Sequence, residues 1–489
     1  MSTSQKKLAR YDVIIIGGGH AGCEAANSAA SMGASTLLLT TSLDTIGLLA
    51  CSPSFGGPGR GQLLTEIDAM GGLMPRIIDE TAIHFRQSGK DTIRQAPFAI
   101  CDRSRYHRHI KSRLEKTENL HIKQDTAQSI VFSGGKWEAR CITGQIFKAK
   151  CLVVTAGTFL RGRTSLGKSK QKAGRNNEIG ADGLAKCLVE LDFNLGIFRT
   201  GTGPTVKPRT LAASLEKQQY DEPPLFCSRA TKIKGPRQVH TYKTHTSAQT
   251  IKIVKKQQNN QLVGPRYCPS LLDRIVKFPQ KKEHPVFLQP ESLQKQEWFL
   301  NGISMDFDEE IQQKVVASIR GLSEAETIRP GYSVAYRYLK PGQLTGNLES
   351  KNHRGLFFAG QVTGSNGYEE AAALGLVAGK NAALKAKKHP CSELERNRFT
   401  SVLVGDITSK KITEPYRMLL SRVAGAKLPS KIEDFTIPYS MDFSAIGLSQ
   451  EAIEKLNRFQ PATINEALKL DIPEKSIQAL ALYLERQNK

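Results

Sequence analysis

The sequence has few cysteines, and their spacing is irregular. Nine are spread over 489 residues, their number is odd, and none form a C-x-x-C pair. A disulfide framework or a zinc site needs paired or regularly spaced thiols, so neither is indicated. We therefore expect free thiols and no metal centre.

Long hydrophobic runs are also absent. No stretch reaches the roughly 18 apolar residues that a membrane-spanning helix needs. The N-terminal segment, residues 1–10, is short and basic and lacks the apolar centre of a signal peptide. These features predict a soluble cytoplasmic protein without membrane contact, long enough for two or three domains.

Acidic residues are few relative to basic ones. The chain has 69 Lys and Arg against 46 Asp and Glu, a formal charge of +23. Residues 231–290 hold 12 basic and two acidic side chains, and residues 86–116 hold nine and three. This excess favours a polyanionic partner, most simply nucleic acid, although a solvated basic surface has the same composition.

The first forty residues have the pattern of a β–α–β unit. Residues 11–16 and 36–40 are short apolar runs typical of buried strands, and residues 21–32 are small and helical. Gly33 lies where the helix is expected to end. Because a β–α–β unit implies a parallel sheet, the predicted fold class is α/β with a doubly wound parallel sheet.

The character of the chain changes in its middle third. Periodicity weakens around residues 205–300, Lys and Gln become frequent, and residues 250–254 have the pattern of a strand. The predicted units are a dinucleotide-binding domain in two parts, 1–204 and 301–390, an inserted α+β domain at 205–300, a linker at 391–435 and a C-terminal helical unit at 436–489.

A glycine-rich turn follows the first strand and opens the first helix. Its pattern is G-x-G-x-x-G, which in this position is typical of dinucleotide binding. Gly17 permits the tight turn, Gly19 lets a pyrophosphate approach the backbone, and Gly22 allows helix and strand to pack closely. The predicted phosphate-binding residues are Gly17, Gly18, Gly19, His20, Ala21 and Gly22.

The acidic residue that commonly binds a ribose is missing from this unit. The second strand ends in Thr40 and Thr41, and Asp44 is the nearest carboxylate. Hydroxyl groups can replace an acid, so this unit leaves NAD and FAD open. Two later segments resemble the motifs of two-dinucleotide-binding-domain flavoproteins and favour FAD. The cofactor residues predicted in addition are Thr40, Thr155, Ala156, Gly157, Gly360, Gln361, Glu369, Glu370 and Ala371.

Many segments closely resemble the MnmG (GidA) family, and the resemblance covers nearly the whole chain. The most specific match is GYEEAAA at residues 367–373. The other matches include GGGHAGCEAA at 17–26, EIDAMGGLM at 66–74, GPRYCPS at 264–270, RPGY at 329–332 and EPYRM at 414–418.

The resemblance implies an FAD enzyme that modifies carbon 5 of the wobble uridine of tRNA. The added group is aminomethyl or carboxymethylaminomethyl, and the choice between ammonium and glycine as its source stays open. The family implies 5,10-methylenetetrahydrofolate as the one-carbon donor and NADH as the reductant of the flavin. It also implies an MnmE-like GTPase as partner, contacted by the C-terminal helices, and a homodimer. The inserted domain is a candidate for contact with NADH or RNA.

Two cysteines match residues treated as catalytic in the family. Carbon 5 of uridine is a poor nucleophile, and a thiolate that adds at carbon 6 creates an enolate that attacks an electrophilic methylene. A positive neighbourhood favours the thiolate. The resemblance implies catalytic roles for Cys51 and Cys268, with the choice of nucleophile open. Asp68 and Arg266 match family positions that shape the site or take part in catalysis.

The sequence departs from the family pattern in three places. Arg60 stands where a lysine is usual, residues 88–93 differ from the family loop, and the segment after Arg422 is much shorter. Two alternatives therefore stay open: an FAD- and folate-dependent RNA uridine methyltransferase resembling TrmFO, and a divergent paralogue acting on another RNA. The motif at 17–26 and the C-terminal unit favour the MnmG-like function.

Overall fold

A computed structural model shows the fold of most of the chain. Among the residues it describes, no helix combines the length and apolar character needed to cross a membrane. Tyr267 and most of the divergent loop at 88–93 lie outside the described part. The described residues are 10–88, 96–209, 212–221, 226–227, 235–257, 265–266, 268–396, 398–410, 412–423, 435–439, 441–446, 448, 450–470, 472, 476–477, 480–481 and 483–484.

A seven-stranded, largely parallel sheet forms the centre of the nucleotide-binding part. Five strands run parallel, and an antiparallel hairpin joins one side. Burial on both faces explains the continuous apolar runs of the sequence. The predicted mixed α/β fold with a largely parallel sheet is confirmed. The strands, in spatial order, are Leu120–Gln124, Thr36–Thr40, Arg10–Ile16 and Ile146–Val154, with Leu356–Phe358 beside the end of the last and the hairpin Lys136–Cys141 and Ala127–Ser133 beside its start.

Two helices pack very closely on one face of this sheet. Helix His20–Ser31 lies against the long helix Tyr368–Ala386. A Cβ atom at Gly375 would lie 2.1 Å from the carbonyl oxygen of Ala21, and Gly379 makes a similar contact one turn later. Glycine is therefore needed at this helix crossing. The other helices of this part are Arg60–Ala69, Met74–Thr81, Arg103–Glu115 and Asp182–Glu190.

Three small antiparallel sheets complete the nucleotide-binding part. The one that matters for the site contains the strand Leu195–Gly201, which ends beside the cavity described below. These sheets consist of Ser54–Gly56, Ala96–Cys101 and Ala82–Ser88; of Ser169–Gln171, Arg163–Leu166, Ser333–Leu339 and Leu195–Gly201; and of Ala173–Arg175 and Glu178–Ile179.

A six-stranded antiparallel sheet with its own apolar core forms the inserted unit. It extends to residue 329, past the boundary predicted at residue 300, because the strand Thr205–Lys207 pairs with Glu326–Arg329. The strands, in spatial order, are Glu216–Gln218, Thr241–His245, Pro285–Pro290, Trp298–Asn301, Thr205–Lys207 and Glu326–Arg329, and the helices are Ala248–Lys255, Leu271–Lys277 and Glu309–Ala317.

The strand predicted at residues 250–254 is wrong, because these residues lie in the helix Ala248–Lys255. The hydroxyl of Ser247 caps this helix by accepting a hydrogen bond from the backbone N–H of Thr250 at 3.1 Å. The alternation of apolar and basic side chains suits a strand. However, Thr250 and Val254 are both buried and lie four residues apart, which places them on one face of a helix.

The C-terminal region contains helix Phe399–Ser409 and a small unit with a separate apolar core. The helices described in that unit are Gln450–Phe459 and Ile464–Leu468. An ion pair of 3.9 Å between Lys277 Nζ and Glu454 Oε2 connects it to the inserted unit.

Candidate cofactor and active site

A cavity lies at the carboxyl ends of the parallel strands, beside the glycine-rich turn. It contains about 1400 Å³ of space free of protein atoms, part of it open to solvent. Ligands commonly bind at this edge of an open α/β sheet. The predicted site residues that line the cavity are Gly17, Gly18, Gly19, His20, Ala21, Thr40, Cys51, Thr155, Ala156, Gly157, Gln361 and Ala371.

The glycines of the nucleotide motif differ in what surrounds them. Gly17 has a φ of +112°, which favours glycine in the turn. A Cβ at Gly22 would lie 1.7 Å from the carbonyl oxygen of Gly17, and one at Gly360 would lie 2.8 Å from the Cβ of Ala21, so both glycines serve packing. A Cβ at Gly19 would meet open space. The helix N-terminus therefore faces a space that suits a diphosphate.

A carboxylate that the sequence did not indicate lies near the end of the second strand. Asp125 follows the neighbouring strand Leu120–Gln124, lines the cavity and donates its backbone N–H to the carbonyl of Thr40 at 2.9 Å. Asp44, the nearest carboxylate in sequence, has a side chain that is 91% exposed. In the sequence, Asp125 could be noticed only as an acidic residue directly after a short strand. The order of the strands in the sheet is what places it beside Thr40.

Glu369 and Glu370, which the sequence predicts as cofactor residues, are not among the residues that line the cavity. Arg60 Nε lies 3.7 Å from Glu369 Oε2 and 3.1 Å from Glu370 Oε1. Glu369 also accepts the backbone N–H of Gly56 at 2.7 Å, and Glu370 that of Met418 at 3.0 Å. Both carboxylates therefore bind Arg60 and backbone N–H groups, and these contacts fix the loop before helix Arg60–Ala69.

His20 lies between aromatic rings at the cavity wall. It stacks on Tyr368, with ring centroids 4.5 Å apart. Burial, together with the charge of Arg175, lowers the pKa of His20 to about 3, so its ring is neutral at physiological pH. Tyr368 was missed because it comes from a helix more than 300 residues away. Other lining residues that the sequence did not indicate are Arg175, Thr200, Thr202, Tyr332 and Asn366.

Cys51 opens into the same cavity and is held by three contacts. Its Sγ lies 3.7 Å from the carbonyl oxygen of Gly201, its backbone N–H donates to the hydroxyl of Tyr368 at 2.8 Å, and its carbonyl accepts from Arg103 at 2.8 Å. Burial raises the pKa of the Cys51 thiol to about 12, and the charge of Cys268 contributes to the rise. The thiol is therefore protonated at neutral pH.

Cys268 lies close enough to Cys51 for their charges to interact, although 217 residues separate them in sequence. Burial raises the pKa of Cys268, while the charges of Arg417, Arg60 and Arg266 lower it. The positive neighbourhood that favours a thiolate is thus present around Cys268. The pKa is nevertheless raised, because burial has the larger effect.

Neither Arg266 nor Asp68 lines the cavity, but the charge of Arg266 acts on Cys268. The Arg266 side chain is 5% exposed, and its Nη2 would lie 2.6 Å from a Cβ at Gly201. Asp68 is buried in helix Arg60–Ala69. Burial raises the pKa of Asp79 to about 6 and the charge of Asp68 adds to this rise, which places the two carboxylates near each other.

Comparisons with known proteins identify the relatives of this chain. The sequence model of the family described as glucose inhibited division protein A (GidA) matches residues 12–390. The tRNA uridine 5-carboxymethylaminomethyl modification enzyme MnmG of Thermodesulfovibrio yellowstonii is 40% identical over 425 residues, 84% of this chain and 68% of that protein.

Two solved structures of Aquifex aeolicus GidA, from its form I and form II crystals, are similar to the chain over most of its length. Each has a TM-score of 0.80 and 33% sequence identity, and the superposition covers 97% of this chain and 98% or 100% of the other.

Proposed function

The chain belongs to the GidA family, and we propose that it is a tRNA uridine 5-carboxymethylaminomethyl modification enzyme of the MnmG type. This proposal rests on the observation that two cysteines lie close to the dinucleotide-binding turn. Cys51 lines the same cavity as the glycine-rich turn, and Cys268 lies within electrostatic range of Cys51. A dinucleotide site joined to two thiols suits covalent chemistry on a pyrimidine beside a redox cofactor.

FAD is the cofactor that we assign to this cavity. The backbone N–H groups at the start of helix His20–Ser31 would hold its diphosphate, and Thr40 and Asp125 lie where hydroxyl groups of a ribose would bind. Gln361 lies at the late flavoprotein-like motif on another wall. When bound, the flavin supplies two-electron chemistry and passes on a one-carbon unit. NADH as reductant and 5,10-methylenetetrahydrofolate as one-carbon donor complete the proposed set of reactants.

The cysteines are the groups of the chain that we assign to the uridine ring. One thiol adds across the C5–C6 double bond: sulfur bonds to carbon 6, and its proton passes to the carbonyl oxygen at carbon 4. The resulting enol is nucleophilic at carbon 5. Carbon 5 then bonds to the methylene carbon while one bond from that carbon to its carrier nitrogen breaks, and the enol proton leaves. Carbon 5 finally loses its own proton, and the C6–sulfur bond breaks, which restores the double bond and frees the cysteine. The second cysteine interacts electrostatically with the first, and we assign the proton transfer to it.

The proposed partners are tRNA, an MnmE-like GTPase and a second copy of the chain. The basic residues of the inserted unit and of helix Arg103–Glu115 offer contacts for RNA phosphates. On the C-terminal unit, the side chains of Tyr439 and Phe459 are 84% and 54% exposed, which suits contact with a protein partner.

Nucleoside analysis of a deletion strain tests the function. Mass spectrometry of digested tRNA should show that the modified wobble uridine disappears on deletion and returns with the wild-type gene. Its survival in a clean deletion would refute the proposal, and loss of 5-methyluridine instead would support the TrmFO-like alternative. The purified protein should be yellow, with absorbance at roughly 450 nm from oxidised flavin. A colourless protein would argue against the cofactor assignment.

A further inference from the structure

Arg266 has a buried guanidinium group that has no hydrogen-bond partner among the described residues. Among the described residues, none accepts a hydrogen bond from its Nε, Nη1 or Nη2 atoms, although all three are buried. Asp273 Oδ2 lies 3.9 Å from Nη1, which is too long for a hydrogen bond, and it accepts instead from the backbone N–H and hydroxyl of Ser270, each at 2.7 Å. A buried guanidinium without a hydrogen-bonded anion is unfavourable, so its presence points to a ligand.

Ser304 adds a second unused donor at the same point. Its Oγ is buried and has no hydrogen-bond partner among the described residues. A Cβ at Gly201 would lie 2.6 Å from Arg266 Nη2 and 2.9 Å from Ser304 Oγ, so both donors pack directly against this glycine and lie close to each other. Gly201 lines the cavity, and its carbonyl oxygen lies 3.7 Å from Cys51 Sγ. The donor cluster is therefore adjacent to the thiol.

A second guanidinium and two carboxylates lie near this cluster. Arg199 is also buried, and its backbone N–H donates to the carbonyl oxygen of Pro265, next to Arg266. Burial and the charge of Arg266 lower the pKa of Arg199, while the charges of Asp273 and Asp306 act in the opposite direction. An anion bound to Arg266 would likewise favour the charged state of both guanidinium groups.

We propose that Arg266 and Ser304 bind the carboxylate of the amino acid that supplies the carboxymethylamino part of the product. This inference rests on the proposed function, because the group named for the MnmG relative contains an amino-acid skeleton with one carboxylate. A guanidinium can hold both oxygens of a carboxylate, and the serine hydroxyl offers a third hydrogen bond. The amine of the bound amino acid then points away from the clamp, toward the space beside Cys51.

An RNA phosphate carries similar oxygens, but the geometry favours a small carboxylate. The Arg266 side chain is 5% exposed and Ser304 is 7% exposed, which leaves little room for a polynucleotide backbone. Phosphate contacts of RNA-binding proteins usually involve several exposed cations. Here one guanidinium and one hydroxyl lie against the same residue, Gly201.

The test compares glycine and ammonium as amine donors in the reconstituted modification of tRNA. Only glycine has a carboxylate. Arg266→Gln should raise KM for glycine by roughly 10- to 100-fold, the expected effect of a lost charged hydrogen bond. Ser304→Ala should raise it by about threefold to tenfold. The KM for ammonium and the Kd for tRNA should change by less than about twofold. Arg398→Gln, at an arginine outside the inserted unit whose side chain is 61% exposed, is the matched control.

Other outcomes separate this inference from its premise. An equal rise in KM for glycine and for ammonium in Arg266→Gln would overturn the carboxylate site. A wild-type enzyme that uses ammonium but never glycine would overturn it as well. Weaker tRNA binding by Arg266→Gln with an unchanged glycine KM would reassign it to an RNA phosphate. If the wild-type enzyme modifies no uridine, the proposed function itself fails. If Arg266→Gln does not fold, Ser304→Ala decides, and an unchanged glycine KM in that variant overturns the inference.

Discussion

The protonation state of Cys51 governs how fast this residue can react. Because burial holds its pKa at about 12, only a small fraction is thiolate at neutral pH. We expect alkylation of Cys51 by iodoacetamide to accelerate about tenfold per pH unit from roughly pH 7 to 10, without a plateau. Peptide mass spectrometry at each pH measures the rate. In urea the plateau of an ordinary thiol should return, and a plateau near pH 8 in the folded protein would contradict the raised pKa.

Substitution of Cys51 or of Cys268 should abolish the modification. A serine hydroxyl is a far weaker nucleophile than a thiol, so we expect Cys51→Ser and Cys268→Ser each to lower the rate by more than about a thousandfold. Modified nucleoside formed per unit time is the measurement. Cys391→Ser is the control, since Cys391 is a free cysteine that does not line the cavity. A serine variant that keeps full activity and its flavin would remove that cysteine from the mechanism.

At the scale of elements, the close helix crossing depends on glycine. Alanine at Gly375 would place its Cβ 2.1 Å from the carbonyl oxygen of Ala21, so helices His20–Ser31 and Tyr368–Ala386 would have to separate. We expect Gly375→Ala to destabilise the protein by about 1–3 kcal/mol, the usual effect of overpacking, and to weaken flavin binding. Thermal unfolding with and without added FAD measures both effects.

Gly405 provides the matched control for this prediction. It lies exposed in helix Phe399–Ser409, and a Cβ there would meet no atom within 4 Å. Gly405→Ala should therefore stabilise the protein by about 0.5–1 kcal/mol through helix propensity alone. If both variants shifted the unfolding midpoint in the same direction and by the same amount, the close crossing would not explain the glycine at 375.

At the scale of the whole molecule, the net charge of +23 favours a partner with negative charge. One basic groove follows helix Arg103–Glu115, and Arg105, Arg108 and Lys116 line it. Among the described residues, no carboxylate lies within ion-pair distance of these three side chains. Their spacing places them along about 16 Å of one helix face, which suits successive phosphates of an RNA strand.

Neutralising this groove should change the salt dependence of tRNA binding. Each lost phosphate contact lowers the slope of log K against log salt by roughly 0.7 to 0.9, so Arg108→Gln and Lys116→Gln together should lower it by about 1.5. Fluorescence anisotropy over a range of salt concentrations gives the slope. Lys186→Gln removes an exposed cation outside the inserted unit that already pairs with Glu190 at 3.7 Å, and it should leave the slope unchanged. An identical slope in the double variant and the wild type would exclude this helix from RNA contact.

Local sterics and periodicity determined much of the nucleotide-binding fold. The strand–turn–helix around Gly17, Gly19 and Gly22 could be predicted because its requirements act between residues close in sequence. The parallel sheet followed from the same β–α–β pattern. The family resemblance pointed to Cys51 and Cys268, because the motifs around them are specific even though nothing in either motif places the two together.

Only the tertiary structure decided the features that depend on contacts between distant segments. Sheet order brought Asp125 to Thr40, and helix packing turned Glu369 and Glu370 toward Arg60 instead of the cavity. Burial reversed the effect expected from the positive charges around Cys268. The donors of Arg266 and Ser304 lie against Gly201 because the fold brings these three distant segments together. Desolvation and pairing are properties of the folded environment, and residue type and spacing along the chain do not specify them.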